Sequence, residues 1–176
     1  MDFIRNFPFF SIIICMFSGI ISSVLDGKRA RNLCFGAVGS VTILSACVLF
    51  YTVQTGAAYT YMMGHFPAPW GNEIRAGVLE GVLATTFSVI LLLSLVSAYH
   101  RTAEDIEESK LNLFYVLVDL LLSSLLAIIY TNDLFTAYVF VEINTIAACG
   151  LIMIRQIGRT FGAAIKYMVM SLVGSG

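Results

Sequence analysis

Residues 134–154 read LFTAYVFVEINTIAACGLIMI, and a single charge, Glu142, stands in the middle of them. Eight uncharged residues separate it from Asp133, and twelve separate it from Arg155. An apolar run of ~20 residues is the length of helix that crosses a bilayer. The run therefore predicts a transmembrane helix with a carboxylate well inside the hydrocarbon layer. Such a placement costs at least ~2.5–3.5 kcal/mol on insertion scales, so an acid there normally faces a wet or paired interior and marks an ion or proton path. Glu142 is the first candidate site.

The rest of the chain fits the same solvent. Of its 176 residues, 59% are hydrophobic and only 12% charged, and mean hydropathy is +0.88, far from the balance of a soluble domain. That length suits one membrane domain, residues 1–176, with nothing appended. A net charge of −1 leaves no basic field for nucleic acid. Cys15, Cys34, Cys47 and Cys149 are scattered through apolar runs, with no CxxC pair and no metal-ligand spacing to His65 or His100. They read as small packing residues, so the chain is expected to carry no cofactor or metal of its own. The first apolar run, residues 6–25, exceeds the core of a cleaved signal and lacks an A-x-A site; it reads as the first span.

Breaks in the apolar pattern predict an all-α, polytopic bundle of about six spans: 7–25, 33–53, 78–99, 111–130, 134–154 and 160–176. The connections are short and polar except for residues 54–77, which hold Trp70 and two of the three prolines. Lys28, Arg29, Arg31, Arg101, Lys110, Arg155 and Arg159 fall on the side of the 1–2, 3–4 and 5–6 connections, whereas Arg5 and Arg75 fall on the other. The positive-inside rule then puts the N-terminus outside and those three connections in the cytoplasm. Glu104, Asp105, Glu107 and Glu108 read as a solvated loop or helix start. The last run is 17 residues, barely enough to cross, and ends on Val-Gly-Ser-Gly without a polar anchor, so further helices are expected from more of this polypeptide or from another.

Three charges fall within spans: Asp119, Glu142 and Lys166. Helical rise counted from the span ends places all three near the midplane, a layout for lateral proton exchange. Asp119 could serve a path, pair with Lys166 or cap a neighbouring helix. Lys166 could act in a path or snorkel to the interface. Asp133 reads as an N-cap of the fifth helix, with a path role as the alternative. Glu80 can reach the interface, His65 and His100 read as surface residues, and Tyr99, Tyr130 and Trp70 fit an interfacial aromatic belt.

Residues 131–149, TNDLFTAYVFVEINTIAAC, resemble the fifth-helix signature of the antiporter-like membrane subunits, roughly G-D-L-F-x-x-Y-V-F-x-E, with Asn132 in place of glycine. That superfamily includes large subunits of Mrp-type cation/proton antiporters, their counterparts in membrane-bound hydrogenases and the pumping subunits of respiratory complex I. HFPAPWG at 65–71, after Gly64, is similar to the family's G-x-W-x-A-P-x-G turn, with Phe66 replacing Trp. AAIKYMVMSLVGSG at 163–176 is similar to its sixth-helix opening. The Y-V-F-x-E form leans toward the Mrp and hydrogenase branch.

The resemblance implies that Glu142 is the family's proton-path glutamate and that Lys166 is a recurring sixth-helix lysine. It also implies a larger fold of about fourteen helices with inverted repeats, of which this chain covers the N-terminal part and stops before the seventh-helix lysine. The implied function is a proton- or sodium-translocating subunit of an energy-converting redox complex in a prokaryotic cell membrane. Iron–sulfur clusters and nickel-iron or flavin would then sit on partner subunits, and another membrane subunit would supply the remaining antiporter helices. A cation/proton antiporter without redox chemistry and a structural membrane scaffold remain as alternatives.

Overall fold

All six apolar runs fold as helices. The computed structural model of the chain describes residues 3–62, 72–99, 101–102, 106–154 and 158–175. In chain order the elements are α1 (Phe7–Ser22), α2 (Gly27–Thr55), β1 (Tyr59–Met62), β2 (Glu73–Ala76), α3 (Val78–Ala98), α4 (Leu111–Tyr130), α5 (Leu134–Met153) and α6 (Gly158–Ser175). Helices α1 to α5 are long and apolar enough to cross a membrane, whereas the apolar stretch of α6, Thr160–Gly174, is shorter. His65, Trp70, His100, Glu104, Asp105 and Arg155 lie outside the described residues, as does the HFPAPWG segment.

Local chemistry sets the helix ends. Pro8 stands in the first turn of α1, where its fixed φ suits a helix start and its missing N–H costs nothing. Helix α2 closes on Gly56, whose φ of 64° lies in the left-handed region and whose N–H donates to Thr52 O at 3.0 Å. At its other end α2 begins six residues earlier than the apolar pattern predicted. Lys28, Arg29 and Arg31 belong to its first turns because Ala30 and Cys34 are already buried there. The Arg31 guanidinium lies 4.2 Å from the Tyr99 ring centroid, a cation–π contact that keeps the charge at the helix end.

The long 54–77 connection carries a feature absent from the sequence reading. Tyr59–Met62 and Glu73–Ala76 pair antiparallel in the register Tyr59 with Ala76 and Met62 with Glu73. Ile74 makes a further bridge to Thr131, so the hairpin docks at the junction of α4 and α5.

Helices α1, α2 and α4 pack on one another, α3 packs on α2, α5 on α4, and α6 on α5. On α2 the buried positions Cys34, Val38, Val41, Ser45, Val48 and Thr52 alternate in spacings of four and three, a narrow seam of coiled-coil type. It meets Cys15, Ser18 and Ser22 of α1 and Tyr115, Asp119, Leu122, Leu126 and Tyr130 of α4. Tyr130 is therefore fully buried and not part of an interfacial belt, because it closes this seam from the α4 side. Several hydroxyls are satisfied within their own helix: Ser11, Thr42, Ser88 and Thr145 each donate to the carbonyl four residues back.

In lipid, helix association depends on close approach and small side chains more than on a hydrophobic driving force. Gly81 of α3 is the clearest case, since a Cβ there would lie 3.1 Å from the Leu49 Cα of α2, and neither backbone can give way. Gly81→Val is expected to destabilise the bundle by ~1–3 kcal/mol, the usual cost of overpacking, read as earlier thermal aggregation in detergent. Gly39→Ala, with nothing within 4 Å of its added methyl, is the control and should leave that temperature unchanged or raised.

Candidate functional site

The helix that carries Glu142 is anchored at its start by a carboxylate. Asp133 is the N-cap of α5: its Oδ1 accepts from Phe135 N at 3.4 Å and its Oδ2 accepts from Thr136 N at 3.0 Å. The Thr136 hydroxyl lies 2.6 Å from Asp133 Oδ2 and 2.7 Å from Asn72 Oδ1. Next to it, Asn132 N–H donates to Glu73 O at 2.9 Å and the Asn132 amide donates to Glu73 Oε2 at 3.2 Å. The hairpin is thus tied to the first turn of α5. The bonds that Asp133 accepts from Thr136, its hydroxyl first, and from Phe135 hold the carboxyl below the usual carboxylate range.

Two turns into α5, Glu142 is half-buried. Thr145 and Cys149, three and seven residues on, occupy the same helical stripe and face α6. The Thr145 hydroxyl lies 3.1 Å from Ser171 Oγ, and Cys149 Sγ approaches Ala164 O at 3.7 Å. Glu142 heads this α6-directed stripe. Asn144, two residues on and so near the opposite face, turns to α4, where its Oδ1 accepts the Ser124 hydroxyl at 3.1 Å. Gly150 meets α4 as well: a Cβ there would lie 2.9 Å from the Leu117 methyls.

These contacts set the register of antiparallel α4, α5 and α6, and with it the relative depth of the charges. Asp119 falls level with Ala148 or Cys149, and Lys166 falls near Ala148. Glu142 lies about six residues, or ~9 Å of helical rise, nearer the hairpin end. The three charges do not share one plane, contrary to the depth expected from rise alone. Rise counted from uncertain span ends misses the offset, which the packed side chains fix.

Nor do the charges converge laterally. Lys166 is exposed and sits two residues from Ala164, on the flank of α6 that turns away from α5. Asp119 is fully buried on the opposite side, where its Oδ2 accepts the Ser18 hydroxyl of α1 at 2.6 Å. The partner of Asp119 is therefore a serine of the first helix, in place of the Lys166 pairing or helix cap offered from the sequence. Among the described residues, ion pairs within 4 Å join Arg75 to Glu80 at 3.9 Å and Lys110 to Glu107 at 2.7 Å. Glu80 also accepts Gly77 N–H at 3.0 Å, a first-turn cap of α3. Glu107 is exposed, and its hydrogen bond to Lys110 holds its carboxyl below the ordinary range.

Ser18, Ser124, Asn144 and Ser171 were not singled out from the sequence. A signal was present for the first of these: Ser11, Ser18 and Ser22 recur at helical spacing through an otherwise apolar run, marking a polar stripe.

Removing the cap tests how firmly the start of α5 is held. Asp133→Ala should speed amide hydrogen exchange at Phe135 and Thr136, while Asp133→Asn should largely preserve protection. A carboxyl held below its unfolded value stabilises above that value and loses its contribution as pH falls through the folded one. Protection should therefore be constant from neutral pH down to mild acid and decline only below the ordinary carboxylate range.

Comparison with known proteins gives a consistent picture. The chain is 28% identical over 172 residues to a Na(+)/H(+) antiporter subunit of Bacillus subtilis, an alignment covering 97% of this chain and 34% of that protein. It is 29% identical over 170 residues to an NADH-quinone oxidoreductase subunit of Desulforudis audaxviator, covering 94% and 33%. Its fold is shared with a chain in the structure of the membrane-bound sulfane sulfur reductase, an archaeal respiratory membrane complex, with a TM-score of 0.77 at 19% identity over 99% of this chain and 35% of that one. No family model matches the chain. It spans about a third of the length of these relatives.

Proposed function

We propose, from the homology of this chain to part of the antiporter-like membrane subunits, that it is a proton- or sodium-translocating component of an energy-converting membrane complex. The observation that carries the reading is Glu142: a half-buried carboxylate about eight residues into an otherwise uncharged helix, on the stripe that faces α6. A carboxylate held there can accept and release a proton, or coordinate a sodium ion, only where water or polar groups reach it.

Asp133 is committed to the α5 cap, so its role in this reading is to position the helix. Lys166 is exposed on the flank of α6 that turns away from α5, which suits action across an interface on helices outside this chain. Those helices would belong to membrane subunits covering the outer flanks of α5 and α6, where Leu134, Phe135, Met170 and Val173 are largely exposed. The N-terminus outside, a prokaryotic cell membrane, and iron–sulfur clusters with nickel-iron or flavin on partner subunits complete the proposal. The Bacillus relative supports a second reading, a multisubunit cation/proton antiporter with no redox partner. Metal and flavin analysis of the purified complex separates the two.

Glu142→Gln keeps size and hydrogen bonding while removing the exchangeable charge. It should leave assembly intact and reduce ion uptake into vesicles at least tenfold, and undiminished uptake would favour a scaffold. Lys166→Met should shift the pH optimum of transport, with Lys166→Arg closer to wild type. Unchanged profiles in both would reduce the lysine to a snorkelling anchor.

A further inference from the structure

The α1/α2/α4 seam holds a carboxylate separate from the Glu142 stripe. Asp119 Oδ2 accepts the Ser18 hydroxyl and the carboxyl also faces the weakly donating Cys34 thiol of α2, while its Oδ1 is buried without an N–H or O–H donor. One turn along α1, Ser22 is also fully buried, and its hydroxyl has no partner either. The register of α1 on α4 sets Asp119 opposite Ser18 and the Ser22 turn opposite Tyr115, one turn nearer the α1–α2 turn. Ser18 meets Asp119, a Cβ on Gly19 would lie 3.6 Å from Val116 O, and the Asn112 amide reaches Ser23 O at 3.4 Å. A buried polar atom left unpaired costs ~1–3 kcal/mol. Two of them one turn apart on the same seam are groups that a single bridging water would satisfy.

The shorter way out of the seam from this pair leads to the basic end of the bundle. Toward the hairpin end, Val38, Val41, Leu122 and Leu126 are all fully buried and form an apolar plug between Asp119 and the buried hydroxyls of Ser45 and Tyr130. Tyr130 is eleven residues further along α4, ~16 Å away. At the other end, a cleft of about 550 Å³ lined by Asp26, Lys28, Arg29, Glu108 and Asn112 opens beyond the α1–α2 turn, about one turn past Ser22. The titratable groups facing Asp119 are Cys15 from α1 and Cys34 from α2. On α4 itself Tyr115 precedes Asp119 by one turn, and Arg31 is engaged with the Tyr99 ring.

We propose that Asp119 is a proton-holding site open only to the basic, cytoplasmic end of the bundle, loaded through a water held between Asp119 Oδ1 and Ser22 Oγ. It rests on the ion-translocation reading but uses a different carboxylate and a different interface. In loading, a hydronium ion in the cleft gives its proton to the shared water, which passes one of its own protons to Oδ1. The products are a neutral carboxylic acid and water, and release reverses the same steps.

Difference infrared spectroscopy of the assembled complex in native membranes tests this, with pH as the trigger. A carboxyl C=O band should appear on acidification, vanish in Asp119→Asn, shift in Ser18→Ala, and move promptly to its deuterated position in heavy water. Ser22→Val, which fills the water position, should keep the band but slow that exchange at least tenfold. If Ser22→Val fails to assemble, the wild type decides: prompt exchange of the Asp119 band supports the site. Absence of any Asp119 band, exchange slower than hours in wild type, unchanged exchange in Ser22→Val, or suppression of the band by sodium instead of by raised pH would each overturn it. Transport by Glu142→Gln, measured in parallel, distinguishes failure of this site from failure of the translocation reading.

Discussion

The structure depends on the seam that α2 drives between α1 and α4. With no water in the bilayer core, each helix satisfies its own backbone, and only close side-chain packing holds one helix to the next. The alternating spacing on α2 supplies a continuous row of small and branched residues, Cys34 to Thr52, along nearly the full height of the bundle. The hydrogen bond from Ser18 to Asp119 is the one buried side-chain pair between α1 and α4 that involves a charge-bearing group among the described residues. It pins the register of those two helices. Helix α3 leans on the back of α2 through the close approach of Gly81 and Leu49, and α5 and α6 are added in turn on the far side of α4.

That order of packing gives α4 two unlike faces. One presents Asp119 to α1 and α2, and the other presents Leu117 and Ser124 to Gly150 and Asn144 of α5. Helix α5 is divided in the same way, with Asn144 turned to α4 and the Glu142, Thr145, Cys149 stripe turned to α6. The two intramembrane carboxylates therefore occupy separate interfaces at different depths. Each carboxylate is thereby set against its own neighbours, Asp119 against α1 and α2 and Glu142 on the α6 side of α5.

The helices were legible because membrane thickness imposes a length that apolar runs must meet, and residues 111–130 and 134–154 met it almost residue for residue. The start of α2 was not legible, since Lys28, Arg29 and Arg31 look like a loop until Tyr99 and the buried Ala30 and Cys34 are brought beside them. The hairpin was hidden for a related reason: its strands are four residues each and gain their place from Asn132 and Thr131, far along the chain. Glu142 was visible as the only charge in its run, and the cap at Asp133 as an acid before a helix. The serine that receives Asp119, the burial of Tyr130 and the offset in depth depend on helix register, which no local pattern specifies.

The central claim is that the Glu142 stripe borders a wet path in the assembled complex. Thiol labelling tests it most directly, with Cys15, Cys34, Cys47 and Cys149 first replaced by serine or alanine. A cysteine placed at position 142 should react with a small, charged, membrane-impermeant thiol reagent added from one side of the membrane. A cysteine at position 90, on the exposed outer flank of α3, should remain inert. Reaction at 142 well above that at 90 is the predicted result, and a position 142 as unreactive as position 90 would contradict the account.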